Sequence, residues 1–386
     1  MWRGRAIWAE VDLGAIEKNV AALKASLAGG AEVMAVVKAN AYGHGAVRAA
    51  KAALAGGATW LAVNVADEGV QLRRAGIGCP ILILGYVPAW EADKVVFHAL
   101  TPTVNTRQLA LALASACQRR GVQAAVHVKV DTGLNRFGLP PEDVSDFVRA
   151  LGGIPHLRWE GLWTHLATAD EADKTFAHQQ LDVYFHCLRR LEAEGLRPRY
   201  RHAANSGATL DMPETHLDIV RPGIAVYGLY PSSEVKRSVP LVPALSLKSR
   251  VARLRRLPVG STVGYGRLFT ATRETVVALV PGGYADGLRR SLTNAGEVLV
   301  RGGRARIVGR VSMDQIVVDV TDVANVQHED EVVILGQQGE GQITAEDLAA
   351  WAGTINYDIV TGISPRVPRV FKRGGEVVAT ESLVDD

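Results

Sequence analysis

Two lysines stand where apolar side chains would be expected. Lys38 ends the run in "AVVKANAYGHG" (35–45), and Lys129 interrupts "AAVHVKV" (124–130). An amine held at the edge of a buried strand can form a Schiff base with a carbonyl compound. Further along the chain come Arg136, His165, the triplet Asn205–Ser206–Gly207 and the triplet Arg221–Pro222–Gly223. One reactive amine, two guanidiniums, an imidazole and a serine–glycine turn suit an anionic carbonyl ligand that carries a phosphate. Serine hydroxyls and backbone N–H groups near glycine cradle phosphate, and a charged partner at a pyridine nitrogen tunes pyridoxal phosphate. Taken singly, each residue has a plainer reading. Lys38 would be a snorkelling surface lysine, His165 a hydrogen-bonded core histidine, "NSG" a turn and "RPG" an arginine before a bend. Lys129 resists that treatment, because a charge within a barrel strand needs a partner, and Arg136 is the nearest candidate. No GxGxxG, GxxxxGK[ST] or HExxH sequence competes.

These residues converge only if the intervening segments are strands of one sheet. Eight apolar runs qualify: "EVMAVV", "TWLAVNV", "PILIL", "LTPTV", "AAVHVKV", "WEGLWTHL", "YRHAAN" and "LDIV". Helix-patterned or turn-rich segments separate them. In "LGAIEKNVAALKASLA" the residues Ile16, Val20, Leu23 and Leu27 share a helical face, as do Leu181, Tyr184, Leu188 and Leu191 further on. Eight β/α units in about 220 residues predict an α/β fold, a (β/α)8 barrel of the TIM type. An open doubly wound sheet is the alternative. In the barrel, Lys38, Arg136, His165, Ser206 and Arg221 follow strand ends and meet at the mouth.

Near "PSSEVKRSVPLVPALSL" (231–247) the pattern changes to strand-like runs with few helices, which predicts a mainly antiparallel β domain. The expected division is 1–240 for the barrel and 241–386 for the second domain, residues 1–12 being a segment that could pair with the latter. Residues 306–314 alternate Arg306, Arg310, Ser312 and Asp314 with Ile307, Val311 and Met313, the period of a half-buried strand. Thr344 and Asp347 mark an approximate capping box before "AAWAG". The glycines of "TVGYGRLF" leave the Tyr265 hydroxyl accessible, and "PGGYADGLRR" is a second polar turn.

The formal charge of +3, without basic runs, gives no indication of nucleic-acid or membrane binding. Cys79, Cys117 and Cys187 are widely spaced and odd in number, which fits a reducing compartment and no metal site. Glu10 and Asp12 interrupt any signal-peptide pattern, so the expectation is a soluble cytoplasmic protein.

The stretches "KVDTGLNRFG", "THLATAD", "ANSGA", "VRPGIAVYG", "VGYGR", "GYADGLRR", "GRVSMDQ" and "NYDIVTGISPRVPR", with "AVVKANAYGHG" before them, span the chain in one order. Together they resemble the alanine racemase family of pyridoxal 5′-phosphate enzymes, a barrel followed by a β domain and assembled as a homodimer. The resemblance implies interconversion of L- and D-alanine, with D-alanine supplied to peptidoglycan. It implies that Lys38 holds the cofactor and moves the α-proton on one face, while the partner subunit's Tyr265 serves the other. Tyr42, Ser206, Gly223, Ile224 and Tyr357 match phosphate-holding positions, with Asn205 alongside. Arg221 matches the partner of the pyridine nitrogen, and His165 belongs to its network. Arg136 matches the residue near the phenolic oxygen and the substrate carboxylate, which Met313 also contacts. Lys129 matches a position carbamylated in some members. Asp170, Tyr284, Arg290, Arg310, Asp314 and Ile355 match the entrance corridor and its supports. A racemase of serine or of several amino acids is an alternative. A decarboxylase of the same architecture is another, but it relies on a cysteine in the β domain, where this chain has none.

Overall fold

A computed structural model describes residues 4–384. The described residues form two compact units, one of 15–41 and 46–243, the other of 4–14, 42–45 and 244–384. Its first strand, β1 (Trp8–Asp12), belongs to the second of these, and residues 1–3 of the segment expected to pair there lie outside the described residues.

The first unit contains all eight expected strands: β2 (Glu32–Val36), β3 (Trp60–Val63), β4 (Ile81–Ile83), β5 (Thr101–Pro102), β6 (Ala124–Lys129), β7 (Leu157–Trp163), β8 (Tyr200–His202) and β9 (Ile219–Val220). They pair in parallel as β5-β4-β3-β2-β9 and β6-β7-β8. The ring closes where Val104 N–H donates to His127 O at 2.8 Å and Arg221 N–H to Ala204 O at 3.0 Å. Helices surround it because each presents one apolar face. In Leu13–Ala25 the side chains of Ile16, Val20 and Leu23 are fully buried, each contributing roughly 1.5–3 kcal/mol. The sheet, not the helices, carries the polar residues to the mouth.

In the second unit the large sheet runs β11-β14-β17-β16-β15-β18-β10-β1-β20-β21. Its members beyond β1 are β10 (Leu245–Arg250), β11 (Arg253–Leu257), β14 (Thr275–Pro281), β15 (Glu297–Val300), β16 (Gly303–Ile307), β17 (Gln315–Asp319), β18 (Glu331–Gln338), β20 (Arg369–Arg373) and β21 (Glu376–Glu381). The short pair β12 (Thr262–Val263) and β13 (Phe269–Thr270) stands apart, and β19 (Gly341–Ile343) adds to β18. β1 lies antiparallel to β10 and parallel to β20, so residues 8–12 are built into this sheet. Thr344 and Asp347 form the expected reciprocal cap, with N–H···O distances of 2.8 and 3.0 Å. Among the described residues no helix is long and apolar enough to cross a membrane.

One expectation is corrected. The strand expected through 306–314 stops at Ile307. Gly309 turns at φ 75°, and the N–H groups of Gly309 and Val311 go to side chains, Asn294 Oδ1 and Thr293 Oγ1, rather than to a ladder. By contacts, residues 42–45 group with the second unit. Gly43 and Gly45 leave no room for a Cβ, which would lie 2.2 Å from Val360 O and 2.6 Å from the Phe371 ring.

Candidate active site

β2 delivers Lys38 to the mouth, and the chain then does something unusual. Ala39, Asn40, Ala41 and Tyr42 all have φ between 52° and 54°, a left-handed turn of four non-glycine residues. Each such residue costs roughly 1–2 kcal/mol, so surrounding bonds must hold the turn. Ala39 N–H donates to Glu68 Oε1 at 2.6 Å, Ala46 N–H to Asn40 Oδ1 at 2.8 Å, and Ala41 N–H to Val37 O at 2.9 Å. The buried His44 ring pairs through Nδ1 with Tyr42 O at 2.9 Å. Tyr42 itself is buried, its ring 6.1 Å from that of Tyr357.

Lys38, Lys129, Arg136, His165 and Arg221 lie within one another's fields. Burial first, and then Arg136, push the Lys38 amine below its ordinary pKa, with Glu68 opposing. Lys129 is pushed down to about 8 by burial, against Asp131 and with help from Arg136 and Arg221. Its Nζ donates to Phe137 O and sits 5.3 Å above the Trp163 ring, so the expected partner Arg136 is a neighbouring cation and not its hydrogen-bond partner. Burial and these cations hold His165 well below its usual value, hence neutral. Asp131 accepts N–H bonds from Gly133, Asn135 and Arg136 at 3.0, 3.0 and 3.2 Å, which fixes the backbone that carries Arg136.

Arg221 is buried and clamped. Its Nη2 donates to Thr164 O and Ala203 O at 2.6 and 3.1 Å, and its Nη1 to His202 Nδ1 at 3.0 Å. Among the described residues no acceptor engages Nε. Burial lowers its pKa to about 9, which still leaves it charged at neutral pH. Beside it, Asn205 Oδ1 caps the helix Ser206–Asp211 by accepting from Ala208 N–H at 3.0 Å. Ser206 Oγ accepts from Gly223 N–H at 2.8 Å and Ala225 N–H at 3.4 Å, leaving its own proton to donate. The N–H groups of Gly207 and Ile224 have no acceptor among the described residues, and a Cβ on Gly207 would lie 2.7 Å from Ala169 O. A hydroxyl with uncommitted N–H groups is a phosphate-type donor set. A guanidinium with a spare Nε and a desolvated amine complete what pyridoxal phosphate would need, so the residues present fit it.

The second unit holds the remaining candidates. Tyr265, Tyr284, Arg290, Arg310, Met313 and Asp314 line a cavity of about 630 Å³. Tyr265 is 74% exposed on a turn whose flanking Gly264 and Gly266 have φ 69° and 74°. Ile355 is exposed before the helix Asn356–Thr361 and does not line that cavity. Asp170 belongs to the barrel unit, where its carbonyl accepts from Ser232 Oγ.

Comparison with known proteins agrees with this arrangement. The family model for the alanine racemase N-terminal domain matches residues 11–231, and that for the C-terminal domain matches 244–371. The chain belongs to the alanine racemase family. The alanine racemase of Carboxydothermus hydrogenoformans is 47% identical over 368 residues, 95% of this chain and 100% of that one. That of Symbiobacterium thermophilum is 48% identical, covering 96% and 98%. The crystal structure of alanine racemase from Bacillus anthracis with bound L-Ala-P has a TM-score of 0.93 at 39% identity, covering 99% of each chain.

In this alanine racemase family member the imidazole hydrogen-bonded to Arg221 is His202, which sequence reasoning passed over in favour of His165. Arginine only donates, so His202 Nδ1 must accept and its Nε2 must carry the proton. That Nε2 lies 2.9 Å from His127 Nδ1, which fixes His127 as the Nε2–H tautomer. Both rings are neutral, burial and Arg221 holding His127 at about 3 and His202 well below its ordinary value. Gly161 makes room for them, since a Cβ there would lie 2.4 Å from His127 Nδ1. The available signal was the period of β6, which puts His127 on the face of Lys129.

Proposed function

We propose that the chain interconverts L- and D-alanine using pyridoxal 5′-phosphate, as a homodimer in which each site receives the partner subunit's Tyr265. The observation that carries this reading is the desolvated Lys38 amine, lowered in pKa by burial and by Arg136, in the same unit as the Ser206 hydroxyl and the uncommitted N–H groups of Gly207 and Ile224. When bound, the cofactor supplies the electron sink that makes an amino acid's α-proton removable. Lys38 would anchor it, and the Ser206 hydroxyl with the uncommitted N–H groups of Gly207 and Ile224 would hold its phosphate. Arg221, charged and unable to give up its proton readily, would face the ring nitrogen through Nε. Arg136 would hold the substrate carboxylate, with Met313 of the second copy beside it. As its free base Lys38 would accept a proton on one face of the substrate carbon, and the partner subunit's Tyr265 would exchange it on the other.

The reading is tested by whether purified protein is yellow, whether borohydride fixes the cofactor to Lys38 in peptide mapping, and which of several L-amino acids it racemises. Colourless protein, or reduction elsewhere, counts against it. Faster turnover of serine than of alanine would favour the broader racemase. Tyr265→Phe is expected to slow solvent-isotope exchange from one alanine enantiomer about 100-fold or more while leaving the other far less affected. Equal losses from both enantiomers would argue against two bases.

Lys129, lowered to about 8, has a larger neutral fraction than an ordinary lysine, and it is the neutral amine that reacts with CO2, forming an N–C bond and releasing one proton. Protein equilibrated with 13CO2 is expected to show a carbamate carbonyl resonance that Lys129→Arg removes. A spectrum identical in both would exclude the modification.

A further inference from the structure

The buried face of the helix Thr175–Ala193 reads Ala177, Gln180, Leu181, Tyr184, Cys187, Leu191. One member is a primary amide, Gln180, 1% exposed in a row where an aliphatic side chain would satisfy the packing. Burying an amide without partners costs roughly 1–3 kcal/mol, so its bonds explain its presence. Gln180 Oε1 accepts from Ala167 N–H at 2.7 Å, while Nε2 donates to Thr132 Oγ1 and to His165 O, both at 3.3 Å. The Thr132 hydroxyl continues to Thr164 Oγ1 at 2.8 Å. One side chain thus ties the loop after β6, which carries Arg136, to the loop after β7, which carries His165. The β6 loop also lies flat on the helix. Gly133 has φ 133°, and a Cβ there would be 3.1 Å from the Phe176 ring and 3.7 Å from Gln180 Cγ.

We propose that Gln180 is a positioning residue that sets Arg136 for the substrate carboxylate by locking the two mouth loops together. This rests on the reading of Arg136 as the carboxylate-binding group. The chain of constraint is continuous. Gln180 holds Thr132, the adjacent Asp131 holds the N–H groups of Gly133, Asn135 and Arg136, and the guanidinium projects from that frame. Only a side chain that is acceptor and donor at once meets all three partners.

The experiment uses the cofactor-loaded protein and measures KM and kcat for L-alanine, together with the inhibition constant of propionate, a carboxylate without the amine. Gln180→Met is expected to raise both KM and the propionate constant about tenfold with a much smaller change in kcat, because displacement of a positioned group by about an ångström weakens what it holds. Gln180→Glu supplies a sharper readout. Protonated, its carboxyl accepts from Ala167 and donates one bond; ionised, it only accepts and faces the Thr132 and His165 oxygens. Burial raises such a carboxyl's pKa. The nearby titratable groups are His165, kept neutral, and Asp131, Lys129 and Arg136, which wild type shares. The ratio of Gln180→Glu to wild-type propionate constants is therefore expected to rise with pH from near one to about ten. Where Gln180→Met fails to fold, this profile carries the test. Wild-type constants at all pH values in Gln180→Glu, with only a lowered melting temperature, would overturn the proposal. Arg136→Gln is run alongside. If it leaves propionate binding unchanged, the reading of Arg136 fails and this proposal with it; if it weakens binding and the Gln180 variants do not, only this proposal fails.

Discussion

Lys38→Ala is expected to lower kcat/KM for alanine about 10⁴-fold or more in both directions, while the melting temperature stays within a few degrees of wild type. The side chain is half-buried at a strand end and belongs to no apolar core, so the loss should fall on chemistry. The site is arranged around that amine. Burial and the nearby Arg136 lower its pKa, so that more of it is the free base near neutral pH, where it must act both as nucleophile and as proton acceptor. The left-handed turn after it fixes its backbone at a cost the fold would not carry for an idle residue. Methylamine, small enough for the space vacated, is expected to restore part of the activity in proportion to its free-base concentration. A Lys38→Ala protein that retains a tenth of its activity, or that amines do not rescue, would remove Lys38 from its role.

Much of this site was legible because strand ends announce themselves. An apolar run that terminates in Lys38, or is followed by Asp131 and Arg136, needs only the barrel to become a constellation, and the barrel follows from counting eight runs. What stayed hidden depends on tertiary context. "KANAY" contains no glycine, so nothing in it signals a left-handed turn; Glu68 and His44, distant or buried partners, impose it. His202 looked like one more strand residue until Arg221, 19 positions on, was seen to donate to it. Gln180 sat in a helix whose apolar pattern drew attention away from its amide. The alternation over 306–314 was real in the sequence, yet Gly309 and two side-chain acceptors redirect the backbone. Period alone reports which residues are apolar, not where their N–H groups find partners.

Asp286→Asn is expected to destabilise the β-rich unit by about 2 kcal/mol, less than breaking a fully buried ion pair because both partner guanidiniums are about a third exposed. The Asp286 carboxylate is fully buried and faces two guanidiniums: Arg5 Nη2 at 2.7 Å, and Arg366, whose Nε lies 2.8 Å and Nη2 3.2 Å away. It also accepts the Gly283 N–H at 3.0 Å, and Arg366 reaches on to Asp314. Two short turns thereby meet at one charge, the Tyr284–Asp286 turn and the segment carrying Met313 and Asp314. Gly283 is pressed so closely on that segment that a Cβ would lie 2.3 Å from Met313 O. Asparagine fits the space but turns an N–H₂ toward a cation and removes the buried counter-charge of two guanidiniums that are themselves about a third exposed. Burial alone would raise the Asp286 pKa; Arg366, Arg5 and the Gly283 N–H outweigh it and hold the carboxyl below its ordinary 3.8. A carboxyl depressed in the folded state contributes stability at pH values above its unfolded pKa and loses it as pH falls through the folded one. The difference in urea midpoint between wild type and Asp286→Asn should therefore be constant above about pH 5 and shrink below about pH 4. The same difference at pH 3 and pH 7 would mean that the charge of Asp286 contributes nothing, and that its hydrogen bonds alone hold the two turns.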